Sequence, residues 1–167
     1  RNLMRLDPEM AAVCAAAECG VILMHSRGGV ATMGTYEDAR YGDDVVGEII
    51  GELEERVAAA RGAGVARERI AIDPGVGFAK RSEHSLAVMR ELERLAALGY
   101  PLAIGVSRKR FVGELSGATD PADRLDGTIA ANVLALAGGA RIFRVHDVEH
   151  ARRALDAAWG ILGGGER

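Results

Sequence analysis

Apolar residues follow two patterns along the chain. Short, largely apolar runs, typical of strands buried on both faces, occupy residues 21–24, 70–73, 102–105 and 141–145. Between these runs, apolar residues recur every three to four positions, as they do in helices that bury one face. The pattern predicts an opening helix followed by four strand–helix units.

Capping residues mark the helix boundaries. Asp7 with Pro8 and Asp120 with Pro121 each predict a helix start, because Asp accepts free backbone N–H groups and Pro fits the first helical position. These helices are expected to end near residues 18 and 137. Further helices are predicted over residues 43–62, 86–95 and 151–162, and a polar loop over residues 25–41.

Alternating strands and helices predict an α/β fold with a parallel sheet. Two architectures satisfy this order: a small doubly wound sheet, or part of a (β/α)8 barrel. A complete barrel needs about 250 residues. The chain has 167 residues, so it can supply only part of one, and its length predicts a single domain.

Composition and charge exclude several classes of protein. With 49% apolar and 27% charged residues, the chain can bury a core. A net charge of -3 argues against a general nucleic-acid binder, and no apolar run approaches the length of a membrane span. Two cysteines and no recognisable signal peptide indicate a reducing, cytoplasmic setting. Because the sequence starts at Arg1 rather than Met, we expect a piece of a longer protein.

Polar segments follow each predicted strand, at residues 24–29, 73–80, 107–111 and 144–147. In parallel α/β folds the carboxyl ends of the strands share one edge, where functional sites collect. The segments therefore predict one site that contains the carboxylate of Asp73. Its cationic members would be Arg108, Lys109, Arg144 and His146. Fixed cations suit a phosphate or pyrophosphate, which predicts an enzyme acting on a small phosphate-containing molecule.

Three of these segments carry a family pattern: DPGVGFAK at residues 73–80, SRKRF at 107–111 and RVHDV at 144–148. Together with LMHSRG at 23–28 and GTIAA at 127–131, they resemble dihydropteroate synthase, a pterin-binding enzyme with a (β/α)8 TIM-barrel fold. The resemblance implies that the chain covers strands five to eight. Residues 1–162 are then the C-terminal part of a single barrel domain, and residues 163–167 are a flexible tail.

The resemblance also assigns roles to residues. It implies that Asp73 pairs with the amino group and ring N–H of the pterin, and that Lys109 donates to the pterin beside the aminobenzoate pocket. Arg144 would stack on the pterin and, with His146, hold the leaving diphosphate. Lys109, Arg144 and His146 are thus the expected catalytic residues. The other expected substrate-binding residues are Phe78, Lys80, Gly105, Ser107 and Arg108.

The implied reaction condenses 6-hydroxymethyl-7,8-dihydropterin diphosphate with p-aminobenzoate and releases pyrophosphate, as a step of folate synthesis. The resemblance implies Mg²⁺ as cofactor, with its protein ligand in an N-terminal half outside this sequence, so no metal ligand is assigned here. It also implies a homodimer, small-molecule substrates, and no nucleic-acid or membrane partner.

Three positions depart from the family pattern. Ala79 stands where Gly is usual, so a left-handed backbone there would be strained. Ser26 replaces a usual Met or Gln, and Arg110 replaces a small hydroxyl residue beside Lys109. Each change is expected to alter loop position without removing an assigned residue.

Two other functions remain open. A pterin-dependent methyltransferase has a related barrel but lacks the SRK and RVHDV segments. Alternatively, the chain is a catalytically incomplete pterin-binding or assembly fragment, because half a barrel leaves open sheet edges that need a cover. Among the remaining polar residues, His25 is expected to hydrogen-bond to backbone rather than to bind a ligand.

Overall fold

The computed structural model describes residues 7 and 9–164, which contain one sheet of four parallel strands in the order β1-β2-β3-β4. A doubly wound sheet reverses its strand order at a switch point, whereas a barrel wall keeps the order of the chain. The observed order therefore favours the barrel. The strands are β1 (Val21–Met24), β2 (Ile70–Asp73), β3 (Leu102–Ile104) and β4 (Ala140–Phe143).

Helices precede the sheet and connect its strands. In the described residues they are α1 (Met10–Ala16), α2 (Val45–Gly62), α3 (Ser82–Arg90), α4 (Leu92–Ala96), α5 (Arg110–Ser116), α6 (Leu125–Ala137) and α7 (Val148–Ile161), with 3-10 turns at Arg67–Arg69 and Pro121–Asp123. Met24 pairs with Asp73, and Ile104 pairs with Phe143. Because strand ends pair in this way, the segments that follow the strands emerge at one edge of the sheet.

Helix α2 shows how the apolar period produces the core. Its buried residues follow the predicted stripe, and Ile49 and Leu53 are both 0% exposed. Truncating such a leucine to alanine costs about 2–5 kcal/mol. Asp44 caps the helix by accepting from the N–H of Gly47 at 2.8 Å, and both of its carboxylate oxygens lie 2.9 Å from Arg94.

Several predicted boundaries are wrong. The predicted helix over residues 86–95 breaks at Glu91 into α3 and α4. Asp120 caps only a 3-10 turn, and α6 begins at Leu125. Helix α1 stops at Ala16 because the backbone of Glu18 turns left-handed, with φ 50°. Strand β4 ends at Phe143, two residues early.

The two outer strands are less buried than their apolar sequences predict. Ile22 of β1 is 44% exposed and Ile142 of β4 is 37% exposed, so these two outer strands are not covered on both faces.

Pro8 and most of the predicted tail, residues 165–167, lie outside the described residues. No helix in the described part of the chain has the length and apolar character needed to cross a membrane.

Candidate active site

The carboxylate of Asp73 marks the end of β2. It is partly buried, and its Oδ1 accepts the N–H of Gly75 at 2.7 Å. Burial raises the pKa of Asp73, whereas the Gly75 N–H and the positive charges of Lys109, Lys80 and Arg144 act in the opposite direction. The structure therefore brings one carboxylate and three cations together at this edge: Lys109 and Arg144, which the sequence predicted as cations of the site, and Lys80.

The turn after Asp73 is tightly folded. Gly75 has φ 66°, and a Cβ there would lie 1.8 Å from the carbonyl oxygen of His25. Gly77 has φ 75°, and a Cβ there would meet the side chain of Lys109 at 2.8 Å. Ala79 has φ 45°, which confirms the expected strain at this departure from the family pattern.

Lys109 reaches across from the end of β3 to this turn. Its ammonium group donates to the carbonyl oxygen of Val76 and lies 4.1 Å from the centre of the Phe78 ring. Burial and the nearby Arg144 lower the pKa of Lys109 to about 8, against the opposing effect of Asp73. Lys109 is still mostly protonated at neutral pH, so it can donate a charge-assisted hydrogen bond.

Arg144 follows β4 and crosses over β3. A Cβ on Gly105 would lie 3.2 Å from Nε and from Nη2 of Arg144, so the absence of a side chain at Gly105 makes room for the guanidinium. The backbone N–H of Arg144 donates to Ile104 at 2.9 Å, which continues the strand pairing. Arg144 is exposed, and its planar face is open to a flat ligand.

Ser107 and His146 form a pair. The Ser107 hydroxyl accepts the backbone N–H of His146 at 3.2 Å and lies 2.9 Å from Nδ1 of the same residue. The hydroxyl can donate its own proton to Nδ1, and in that arrangement the ring proton of neutral His146 lies on Nε2. The exposed Nε2–H can then donate to an anion.

Arg108 is engaged by protein partners. Its Nε and Nη2 lie 3.2 and 2.8 Å from the two carboxylate oxygens of Asp147. Its backbone is left-handed, with φ 58°, and its N–H donates to the buried hydroxyl of Thr128 at 3.0 Å. Arg124 donates to its carbonyl oxygen at 3.0 Å. The geometry thus gives Arg108 a bracing position, supported by Thr128 of the GTIAA segment and by Arg124, which no sequence motif indicated.

Lys80 is enclosed rather than open to the rim. The residue is 2% exposed, and its Nζ lies 2.8 Å from Nδ1 of His25. Burial lowers the pKa of Lys80 to about 7 and that of His25 to about 4. His25 Nε2 lies 3.0 Å from Glu52, so the expectation that its ring bonds to backbone is wrong. Sequence reasoning missed this group because its members are distant along the chain.

A cavity of about 180 Å³ opens beside Lys109. Arg110 lines it and donates to the hydroxyl of Tyr36 at 2.6 Å. The cavity therefore combines aromatic walls with positive charge, which suits an aromatic anion. Its other lining residues include Gly34, Gly77, Phe78 and Phe111.

The described residues do not gather side chains that bind metals. No three His, Cys, Asp or Glu side chains of residues 7 and 9–164 converge to hold a metal ion. The open rim is instead mainly cationic. The described residues therefore do not fit a Mg²⁺ site of their own.

Comparison with known proteins shows the family of this chain. Residues 2–146 match the family described as pterin binding enzyme. The chain belongs to this family. It is 44% identical over 156 residues to dihydropteroate synthase of Synechocystis, covering 92% of this chain and 53% of that protein. The chain spans about half the length of the curated relatives it matches.

Solved structures agree with the sequence match. The chain is similar to dihydropteroate synthase of Thermus thermophilus in complex with 6HMPPP, with TM-score 0.87, 42% identity and coverage of 94% of this chain and 61% of that one. Another structure of the Thermus protein contains 4-aminobenzoate, with TM-score 0.86, 41% identity and coverage of 93% and 59%. The predicted fold class, part of a (β/α)8 barrel, is confirmed.

One relative carries a different description. The chain is 37% identical over 161 residues to inactive dihydropteroate synthase 2 of Mycobacterium tuberculosis, covering 95% of this chain and 50% of that protein. Family membership therefore includes proteins described as inactive, and activity has to be argued from the residues of the site.

Proposed function

We propose that this sequence forms the pterin-binding and diphosphate-binding part of a dihydropteroate synthase. This transferase condenses 6-hydroxymethyl-7,8-dihydropterin diphosphate with p-aminobenzoate and releases pyrophosphate in folate synthesis. The observation that carries the proposal is the partly buried Asp73 carboxylate, which shares one sheet edge with Lys109 and Arg144. The Thermus relative, bound to 6HMPPP in one structure and to 4-aminobenzoate in another, supports this substrate class.

Asp73 is suited to the pterin ring. An ionised carboxylate can accept two parallel hydrogen bonds from an amino group and an adjacent ring N–H, each worth about 1.5–3 kcal/mol. Arg144, whose guanidinium passes beside Gly105, supplies a planar cation against which the ring can stack. Together these groups orient the carbon that carries the diphosphate.

Arg144 and His146 are suited to the leaving group. Breaking the C–O bond to the pterin transfers negative charge to pyrophosphate, so donors placed at the departing oxygens lower the barrier. Removing one such donor typically costs about 3–4 kcal/mol of transition-state stabilisation. The Nε2–H of His146, oriented by Ser107, and the exposed guanidinium of Arg144 are the donors that this chain offers.

The cavity beside Lys109 is suited to p-aminobenzoate. Phe78 provides an aromatic wall, and Arg110 provides a cation for the carboxylate. The aniline nitrogen attacks as a neutral nucleophile, so the reaction needs no strong base next to it. The proposal is consistent with a site that combines one carboxylate with several cations.

The cofactor, the assembly and the cellular location are parts of this proposal. Mg²⁺ would accompany the diphosphate through ligands outside the described residues. Homodimer formation is supported by large apolar side chains exposed on the last three helices, where Leu115 and Leu134 are each 68% exposed and Ile161 is 86% exposed. Free Cys14 and Cys19 are consistent with the cytoplasm.

Turnover by the protein that carries this sequence tests the proposal. Lys109→Ala is expected to lower kcat/KM by about 10²–10³-fold, and Lys109→Arg to recover part of the loss because it keeps the charge. Pyrophosphate release reports the rate. Arg153→Ala serves as control, since Arg153 is exposed on α7 and pairs with Glu149 at 2.6 Å. Unchanged kcat/KM in Lys109→Ala would refute the assignment of the pterin site.

A catalytically silent pterin-binding protein is the second candidate. The inactive mycobacterial relative and the bulky Arg110 favour it. Calorimetry with the pterin diphosphate, run beside the turnover assay, separates the two functions. Binding with turnover supports the synthase, whereas binding without turnover supports the silent protein.

A further inference from the structure

The ammonium group of Lys80 is held by protein atoms. Nζ lies 2.8 Å from Nδ1 of His25 and donates to the carbonyl oxygen of Phe78 at 3.2 Å. With 2% of the residue exposed, its remaining access to a ligand is small. Lys80 lines the cavity beside Lys109, but its ammonium is held by protein atoms, so the contribution that these contacts position is its charge. This inference rests on the proposed function.

His25 connects this ammonium to a carboxylate. The residue is 0% exposed, and its second ring nitrogen, Nε2, lies 3.0 Å from Oε2 of Glu52. Because the ammonium of Lys80 has only protons to give, Nδ1 must accept and the ring proton must lie on Nε2. In this tautomer the Nε2 proton lies near Glu52, whose Oε2 is 3.0 Å away, although the angle is not that of a hydrogen bond.

Glu52 is itself fixed in place. Arg27 contacts Oε1 through Nε at 2.8 Å and through Nη2 at 2.6 Å. Arg56 lies 3.6 Å from the other oxygen and also donates to the carbonyl oxygens of Met24 and Ser26, at 2.6 and 2.9 Å. The carboxylate is therefore anchored to helix α2 and to the end of β1 at the same time.

The same segment borders Asp73. The backbone N–H of His25 donates to the carbonyl oxygen of Asp73 at 2.8 Å. The charge of Lys80 stabilises the ionised Asp73 carboxylate, as do the charges of Lys109 and Arg144. A change in the position of the Lys80 ammonium would thus alter the carboxylate that receives the pterin.

We propose that His25 and Glu52 are positioning residues for the pterin site, because they hold the Lys80 ammonium against the turn that follows the Asp73 carboxylate. Neither residue needs to touch the substrate. Neither His25 nor Glu52 lines the cavity beside Arg110, whereas Lys80 does, so a smaller effect on that cavity is expected through Lys80.

Pterin affinity as a function of pH tests this role. Calorimetry with 6-hydroxymethyl-7,8-dihydropterin diphosphate between pH 5 and 9 compares the unaltered protein with His25→Leu and Glu52→Gln. At pH 6 both variants are expected to bind about tenfold more weakly. Their affinity is expected to approach that of the unaltered protein at higher pH, where Asp73 ionises without help. The KM for p-aminobenzoate should change less than the pterin affinity, because neither His25 nor Glu52 lines the cavity beside Lys109.

A conservative variant separates positioning from mere structural support. His25→Asn keeps an acceptor for Lys80 and is expected to recover part of the affinity that His25→Leu loses. An equal loss of affinity at every pH, or no loss in either variant, would overturn the proposal. His150→Gln, on the exposed face of α7, is the matched control. Near-ultraviolet circular dichroism identifies a variant that has not folded.

The unaltered protein provides a second measurement that does not depend on any variant. Nitrogen-15 NMR of the imidazole is expected to show that His25 carries its proton on Nε2. A proton on Nδ1 alone would overturn the proposed link to Lys80. If the unaltered protein bound no pterin, the proposed function would fail together with this inference. Pterin binding with unaffected variants would reject this inference alone.

Discussion

Arg110 and Tyr36 join two parts of the candidate site that are distant in sequence. Nη1 of Arg110 donates to the Tyr36 hydroxyl at 2.6 Å, and the guanidinium lies 4.9 Å from the ring centre. The contact ties the first residue of α5 to the loop between β1 and α2. It also places a positive charge at the mouth of the cavity beside Lys109.

Arg110→Ser restores the small hydroxyl of the family pattern and tests this charge. Removing a cation from the cavity is expected to raise the KM for p-aminobenzoate by about threefold to tenfold, because its carboxylate loses an electrostatic partner. Tyr36→Phe removes the hydrogen bond but keeps the ring, so a smaller effect is expected. Steady-state kinetics at low salt measure both. A lower KM in Arg110→Ser would mean that the side chain obstructs the cavity.

Ala79→Gly is expected to stabilise the fold. A left-handed backbone destabilises a residue with a side chain by about 1–2 kcal/mol, and glycine removes this strain. The greater conformational freedom of glycine in the unfolded chain offsets about 0.4–1 kcal/mol of that gain. We expect the free energy of unfolding to rise by about 0.5–1 kcal/mol, measured by urea denaturation. Ala103→Gly, in strand β3, is the control and should destabilise. A loss of stability in both variants would contradict the strain assigned to Ala79.

The burial of Lys80, in the turn after β2, predicts that the free energy of unfolding depends on pH. Burial lowers the pKa of Lys80 from its ordinary 10.5 to about 7. Between these values the unfolded chain binds more protons than the folded chain, so the free energy of unfolding rises with pH. The contribution is at most about 1.4 kcal/mol per pH unit. Lys80→Met should reduce this slope in urea titrations at pH 7, 8 and 9. Equal slopes in both proteins would show that Lys80 titrates normally.

Pyrophosphate binding tests the residues assigned to the leaving group. Arg144→Ala and His146→Ala are each expected to raise the Kd for pyrophosphate about tenfold, because each removes a charged or polar donor from the exposed rim. Calorimetry without added metal measures the contribution of this chain's own residues. Arg153→Ala should leave the Kd unchanged. Retention of full affinity in both rim variants would show that the diphosphate binds to other residues.

The sequence predicted those features of the fold and the site that depend on residues close together in the chain. Apolar runs located the strands, and the residues after them formed one edge, since parallel strands that are neighbours in sequence are also neighbours in the sheet. The motif around Ala79 even indicated its left-handed backbone. In contrast, α5 was missed because it is one short helix of seven residues, with only Phe111, Val112 and Gly113 buried. Such a segment is too short for a helical period to be recognised.

The group formed by His25, Glu52 and Lys80 could not be predicted in this way. Glu52 precedes Arg56 by four residues, a helical spacing that indicates a pair, and the two side chains lie 3.6 Å apart. The same carboxylate also faces His25, 27 residues earlier in sequence, which depends on how α2 packs against β1. Packing between elements is set by tertiary structure, so local periodicity does not reveal it.

Lys80 and Lys109 are the two lysines of the sequence, and both lie at the strand-end site. The other 19 of its 21 basic residues are arginines. Within these 167 residues, isotopic labelling of lysine side chains therefore places both amino-group signals at this site. Ligand binding can then be followed at charges close to Asp73, free of lysine signals from the remaining surface of this part of the protein.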